Sequence, residues 1–234
     1  MKDAPAVPTH QHHEWYSFHF GSQQVASADF NPAGLFGACH PDCYVLFADF
    51  CSFSTFFKAT ENLAIVEPLM TSFYSQVRKA IHRHDGMLDQ ILGDGVLAVW
   101  GLHKSAGDAA SRLVAVAAEL VQITSQIATQ WQSHIDLLVE PKGLRIGLSK
   151  GSIIVIRRDQ TYPGLAILGN PINLASRLQT AARANQMVCS NQVYQDLERA
   201  GLTANFRPYK SQNDDAFVDA KNIGPVKACV ADIQ

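Results

Sequence analysis

Apolar positions along this chain switch between two periods, and the switches mark its elements. From Cys43 to Cys51 the run Cys-Tyr-Val-Leu-Phe-Ala-Asp-Phe-Cys is apolar everywhere except Asp49, which predicts a buried strand. Ser52-Phe-Ser-Thr55 then leads into helical spacing over 61–84, where Leu63, Val66, Leu69, Met70, Phe73, Val77 and Ile81 share one face. Pro68 falls inside that pattern and predicts a kink. Asp85-Gly86 stops the helix, and 87–92 with 96–100 predict a hairpin about Asp94. A long helix is expected over 105–131, a pair of strands at 144–150 and 152–157, and a short strand at 165–168. Beyond Pro171 the pattern is helical with Ile172, Ala175 and Leu178 inward, followed by a strand at 187–190 and a helix at 192–200.

That order contains β-α-β-β-α-β, so the expected class is α+β: a ferredoxin-like core with additional strands and helices. Residues 1–40, rich in Pro, His, Gly and Ser, read as an N-terminal extension with one short strand over 15–20, and 41–234 as the folded domain.

Composition narrows the partners. The 234 residues are 47% hydrophobic, enough for one enzyme-sized core. A net charge of -2 and a pI near 6.5 leave no basic footprint for nucleic acid or an anionic membrane. The stretch 113–127 is broken by Glu119, Gln122 and Ser125, and the first ten residues lack the apolar centre of a signal peptide. No membrane association is expected, and the cytoplasm is the simplest location. The five cysteines are odd in number without disulfide spacing, and neither His10, His12 and His13 nor Cys39-His40-Pro41-Asp42-Cys43 has the matched spacing of a zinc site.

The chemistry concentrates where apolar strands run out. A charge inside the run ending at Cys51 is costly unless it is paired or bound to a metal, so Asp49 reads either as a metal carboxylate or as a helix cap or ion-pair partner. Asp94, in Gly93-Asp94-Gly95, reads either as a second metal carboxylate or as a plain hairpin turn. In Leu168-Gly-Asn-Pro-Ile-Asn-Leu-Ala-Ser-Arg-Leu178, Asn173 and Arg177 lie four apart on one helix face. They can orient a sugar and hold a phosphate, or simply face solvent.

Four blocks carry a family resemblance when taken in order: Phe-Ala-Asp-Phe-Cys-Ser-Phe-Ser, Gly-Asp-Gly-Val-Leu-Ala-Val-Trp-Gly, Leu-Arg-Ile-Gly-Leu-Ser-Lys-Gly, and Leu-Gly-Asn-Pro-Ile-Asn-Leu-Ala-Ser-Arg-Leu. Together, over about residues 43–224, they resemble the catalytic domain of class III nucleotidyl cyclases. The resemblance implies that Asp49 and Asp94, with the Phe50 carbonyl, bind two Mg2+ or Mn2+ ions. It implies that the amides of Cys51, Ser52, Phe53 and Ser54 grip the triphosphate of a nucleoside triphosphate substrate. Asn173 would orient the ribose and Arg177 would stabilise the α-phosphate. Lys221 resembles a triphosphate-contacting lysine, with an ordinary surface lysine as the alternative. Family sites form between two catalytic domains, which implies a homodimer.

The positions that read the base in the family hold Gln90 and Ala166, matching neither purine code. A glutamine offers a donor and an acceptor, which suits uracil or cytosine. With Met70-Thr-Ser-Phe-Tyr-Ser75 and Gly86-Met-Leu-Asp-Gln90, the chain looks similar to the pyrimidine cyclases of bacterial antiphage Pycsar systems. The expectation is therefore a uridylate cyclase, with CTP in place of UTP as the other pyrimidine reading, whose cyclic nucleotide product acts on a separate effector. The alternatives are a purine cyclase with unusual base-reading residues and a catalytically silent cyclase-like module. Arg78 either approaches the base pocket or lies on the solvated side of its helix.

Overall fold

In chain order the elements are α1 (His10–Phe20), α2 (Ser22–Val25), β1 (Cys39–Phe50), α3 (Phe53–Ala59), α4 (Val66–Arg83), β2 (Met87–Leu92), β3 (Gly95–Trp100), α5 (Ala109–Gln132), β4 (Leu144–Arg157), β5 (Leu165–Leu168), α6 (Asn170–Ala181), β6 (Gln186–Ser190), α7 (Asn191–Arg199), β7 (Phe206–Pro208), β8 (Phe217–Ala220) and β9 (Gly224–Asp232). This computed structural model describes residues 10–28, 30–102, 109–157, 165–211, 216–220 and 224–233, leaving out the side chains of 10–13 and 220.

β1 runs through the middle of a sheet ordered β2-β3-β1-β4-β6-β9-β7, with β5 paired to β4 and β8 to β9. Each helical crossover skips a strand: α4 carries the chain from β1 past β3 to β2, and α5 carries it from β3 past β1 to β4. Two such split units make the ferredoxin-like core that the sequence predicts.

Alternation along β1 sorts its side chains between two layers. Tyr44, Leu46, Ala48 and Phe50 bury against α4, α5 and α7 through Phe73, Val77, Leu113, Leu120 and Leu197. Cys43 and Val45 bury on the opposite face, with Tyr16 and Phe20 of α1 and Ala175 of α6. Asp49 shares the parity of Cys43 and Val45, so its carboxylate belongs to the face that carries α6. Behind it, the Phe50 ring meets Phe56, Phe73 and Trp131 at centroid separations of 6.0, 5.7 and 6.5 Å. Trp131 donates to Thr60 Oγ1 at 2.8 Å, and Thr60 donates to the Phe56 carbonyl at 2.8 Å. The end of β1 is thereby fixed by a rigid aromatic block whose polar atoms are paired.

Several expectations need correction. The strand expected over 15–20 is helix α1, because Tyr16 and Phe20 are buried four residues apart on one face. His19 Nδ1 lies 2.6 Å from the Leu88 carbonyl and His82 Nε2 lies 3.1 Å from the His19 carbonyl, so this helix is tied to β2 and α4. Pro68 does not interrupt a helix interior: the separate helix α3 and a 3-10 turn at Leu63–Ile65 precede α4, leaving Pro68 in its first turn, where no intrahelical N–H is required. The pair of strands at 144–150 and 152–157 is one strand, β4, because Gly151 stays extended at φ 157 while the Pro171 ring packs over it. Strands β7 to β9 go beyond the pattern read from the sequence; β7 spans three residues, and Lys227 interrupts the apolar run of β9.

Candidate active site

Asp94 sits in the two-residue connection between β2 and β3, where Leu92 pairs with Gly95. Gly93 adopts φ 63, a left-handed conformation that a glycine accepts without steric cost. The Asp94 carbonyl accepts from the Phe50 N–H at 3.2 Å, and the Tyr74 hydroxyl donates to the Gly93 carbonyl at 2.9 Å. The turn is therefore fastened to β1 on one side and to α4 on the other. Asp94 is part of the hairpin turn, and that turn carries its carboxylate to the end of β1.

Asp49 pairs in register with Gly95 of β3 and with Arg145 of β4. Burial pushes the Asp94 carboxyl above its ordinary value, and the neighbouring Asp49 charge pushes it further; its own backbone amide and Arg145 offset part of this. A carboxyl pushed up by burial and by a neighbouring carboxylate is one whose charge a divalent cation would favour. In the chain itself Asp49 is held by an ion pair with Arg145 Nη2, so the ion-pair reading of Asp49 is also realised. The Arg145 Nε is buried without a hydrogen-bond partner.

Among the described residues no group of three His, Cys, Asp or Glu side chains gathers to hold a metal. The donors at this corner are two carboxylates and main-chain carbonyl oxygen, an all-oxygen set that suits hard ions such as Mg2+ or Mn2+. The Phe50 ring is buried, so Phe50 has only its main chain to offer the site.

The loop after β1 divides the expected phosphate donors. Cys51 donates its N–H to the Gly143 carbonyl at 2.9 Å, and burial pushes its thiol up to about 11. Ser52, at φ 60, donates its hydroxyl to the Pro141 carbonyl at 3.0 Å. The first backbone bonds of α3 run from Thr55 and Phe56 to the Ser52 carbonyl at 2.9 and 3.0 Å. The amides of Ser52, Phe53 and Ser54 precede them and remain the available donors.

Asn173 and Arg177 lie on the outer face of α6, exposed and without hydrogen bond or ion pair among the described residues. Ala175 and Leu178 are fully buried beneath them. The helix lies directly on β4: a Cβ at Gly147 would stand 2.1 Å from the Ala175 carbonyl oxygen. Gln90 is half-buried opposite Leu97, beside the irregularity between Leu88 and Gln90 in β2. Ala166 is half-buried on β5 opposite Ile156. Arg78 places its guanidinium 5.1 Å from the centre of the Phe18 ring of α1, a cation–π contact that neither sequence reading contained. Lys221 lies outside the described residues. The sequence reading missed Arg145 and Tyr74 as parts of this corner; Arg145 was in view, inside the block Leu-Arg-Ile-Gly.

A mixed sheet of this order, with paired carboxylates at the end of its central strand, defines a class, and comparison with known proteins identifies it. The adenylate and guanylate cyclase catalytic domain family matches residues 38–224, and the chain belongs to that family. It is similar to the human guanylate cyclase soluble subunit beta-2, 25% identical over 160 residues covering 68% of this chain and 25% of that one. The adenylyl cyclase CyaB of P. aeruginosa shares the fold with a TM-score of 0.68 at 20% identity, covering 83% of this chain and 94% of that one. The guanylate cyclase domain of RhGC from Catenaria anguillulae, in complex with GTP, gives 0.66 at 17% identity, covering 85% and 100%. The chain spans a third or less of the length of the curated relatives it matches first.

These findings correct the expected substrate. The named relatives are guanylate cyclases and the similar solved structures are adenylyl and guanylyl cyclases. The uridylate cyclase reading, with cyclic UMP and its antiphage role, is replaced by the purine alternative. Gln90 and Ala166 misled because departure from the usual purine readers is not itself a pyrimidine code: a glutamine amide pairs with a purine edge as well. The family fold implies metal-dependent catalysis on a nucleoside triphosphate. No helix among the described residues is long and apolar enough to cross a membrane.

Proposed function

We propose that the chain is a purine nucleotide cyclase, converting ATP or GTP to the 3′,5′-cyclic nucleotide and pyrophosphate. The observation that carries this reading is the juxtaposition of Asp49 and Asp94 at the end of β1, where the Asp49 charge helps burial push the Asp94 carboxyl up, on a cyclase fold. The pair, with the Phe50 carbonyl, would hold two Mg2+ or Mn2+ ions. Bound there, such ions favour the 3′-oxyanion and stabilise the charge that develops on the phosphates.

The chain's own groups do the rest. The amides of Ser52, Phe53 and Ser54 meet the triphosphate, Asn173 fixes the ribose, and Arg177 stabilises the α-phosphate. The 3′-hydroxyl gives its proton to solvent water and its oxygen bonds to the α-phosphorus. The bond from that phosphorus to the bridging oxygen breaks, and pyrophosphate leaves with the electron pair. Gln90 reads the purine edge by donating and accepting, beside the apolar Ala166. Lys221 would contact the triphosphate if it takes the part that the family resemblance implies.

Asn173 and Arg177 face outward, so they serve the carboxylates of a second copy in a head-to-tail homodimer. Ile154 and Leu168, paired across β4 and β5, are 43% and 50% exposed and offer an apolar surface for that copy. The cyclic product is a diffusible signal received by a separate protein.

Incubation of the purified chain with Mn2+ and each of ATP, GTP, CTP and UTP in turn, with mass-spectrometric identification of products, tests the reading. Cyclic AMP or cyclic GMP is the expected product. Turnover of only CTP or UTP, or of no nucleotide, would overturn it.

A further inference from the structure

We propose that Arg145 is a resident cation that guards the carboxylate pair, holding down its affinity for divalent ions until the guanidinium is drawn away. The inference rests on the reading of Asp49 and Asp94 as the metal carboxylates, and it assigns to a third side chain the control of when metal enters.

The geometry follows from strand pairing. Asp49 and Arg145 are register partners on antiparallel strands, so their side chains emerge side by side on one face. Nη2 of Arg145 bonds Asp49 Oδ2, one of the oxygens a cation at this corner requires. The same guanidinium also lies close enough to Asp94 to interact with it electrostatically. One permanent positive charge thus serves two carboxylates, leaving the cluster with a net charge of about -1. A divalent ion entering here must displace the guanidinium from Asp49 Oδ2 and then withstand a positive charge in the next register position.

Release is built in as well. A carboxylate held in a fork by two guanidinium nitrogens is hard to free. Here Nη2 makes the bond while Nε is buried with no partner, so the fork is incomplete. The Arg145 side chain is 37% exposed, so it has an open route away from Asp49. A polyanion arriving at the amides of Ser52, Phe53 and Ser54, just beyond the end of β1, would compete with Asp49 for this guanidinium. Its departure would open Asp49 at the moment the substrate is present. Metal entry and substrate entry would then be linked rather than independent. A chain whose Arg145 only stitched β1 to β4 would show no such linkage.

Titration of nucleotide-free protein with Mn2+, followed by the electron paramagnetic resonance of the free ion, separates these roles. Arg145→Gln is expected to bind Mn2+ about tenfold more tightly than the unaltered chain, the size of effect a neighbouring unit charge has on an ionisable site. Arg145→Lys, which keeps the charge, should stay near the unaltered value. The thermal midpoint should rise further with Mn2+ in Arg145→Gln than in the unaltered chain. Equal or weaker Mn2+ binding by Arg145→Gln would overturn the guard role. Absence of Mn2+ binding from every chain, or undiminished binding by Asp94→Ala, would overturn the metal reading beneath it and the guard role with it.

Discussion

The two halves of the proposed site are built in opposite ways. The carboxylate corner is held from all sides by its own chain: β3 and β4 flank Asp49, the Phe50 amide and the Tyr74 hydroxyl fasten the turn bearing Asp94, and an aromatic block stands behind. Asn173 and Arg177 ride on a helix packed just as closely, with Gly147 admitting the helix backbone onto β4, yet their exposed side chains make no hydrogen bond or ion pair among the described residues. Rigid placement of an unpartnered amide and guanidinium is what a group needs if its target comes from outside the chain. One half is complete as folded; the other half is a rigid offer.

The comparison breaks first at the carboxylates. Asp94→Ala should lower turnover by about a thousandfold or more, since an uncompensated loss of a metal ligand removes the charge stabilisation on which phosphoryl transfer depends. Circular dichroism and thermal melting should stay close to those of the unaltered chain, because Gly93 and Gly95, not the Asp94 side chain, make the turn. Residual activity above about a tenth would contradict the metal role.

Arg177→Ala tests the other half. Its kcat should fall about a hundredfold with little change in melting temperature, because the exposed guanidinium makes no hydrogen bond or ion pair among the described residues. A large loss of stability would show that the side chain serves its own fold.

A smaller effect is expected at the fastening between the turn and α4. Tyr74→Phe removes the bond to the Gly93 carbonyl and should cost about 1 kcal/mol or less in urea unfolding, while raising the Mn2+ concentration needed for half-maximal activity. Unchanged metal dependence would mean that the turn holds its shape without this fastening.

These expectations rest on features that differed in how far the sequence disclosed them. The carboxylates were legible because a charge stands out inside an apolar run, and Asn173 and Arg177 because helical spacing aligns them. Tyr74 and Arg145 were not: one acts through a bond to a backbone 19 residues away, the other through strand register across 96 residues, and neither separation leaves a local pattern. Helix α1 was missed for a related reason. Its aromatic residues bury against β2 and the far side of the sheet, a contact that period alone does not reveal. The pyrimidine expectation arose because Gln90 and Ala166 were weighed as a code, whereas an amide satisfies several base edges.

The smallest expected effect lies away from both halves, where Asp196 of α7 meets the sheet. Burial alone would raise its carboxyl, but bonds from Lys150 at 2.8 Å and Tyr44 at 2.6 Å outweigh burial and hold it below the ordinary aspartate value. A carboxylate depressed in the folded state stabilises above its unfolded pKa, and that contribution is lost as pH falls through the depressed value. Asp196→Asn should flatten the acid side of the stability curve in proportion, leaving the neutral-pH affinity for Mn2+ unchanged. An acid limb identical in the two chains would exclude the network.

Complementation tests the division of the site most directly. Asp94→Ala and Arg177→Ala chains, each nearly inactive, are denatured, mixed in equal amounts and refolded together. If one chain supplies the carboxylates and its mate supplies Asn173 and Arg177, half of the dimers contain one intact site of two, and activity should return to about a quarter of the unaltered level. A mixture no more active than its two components would contradict the account.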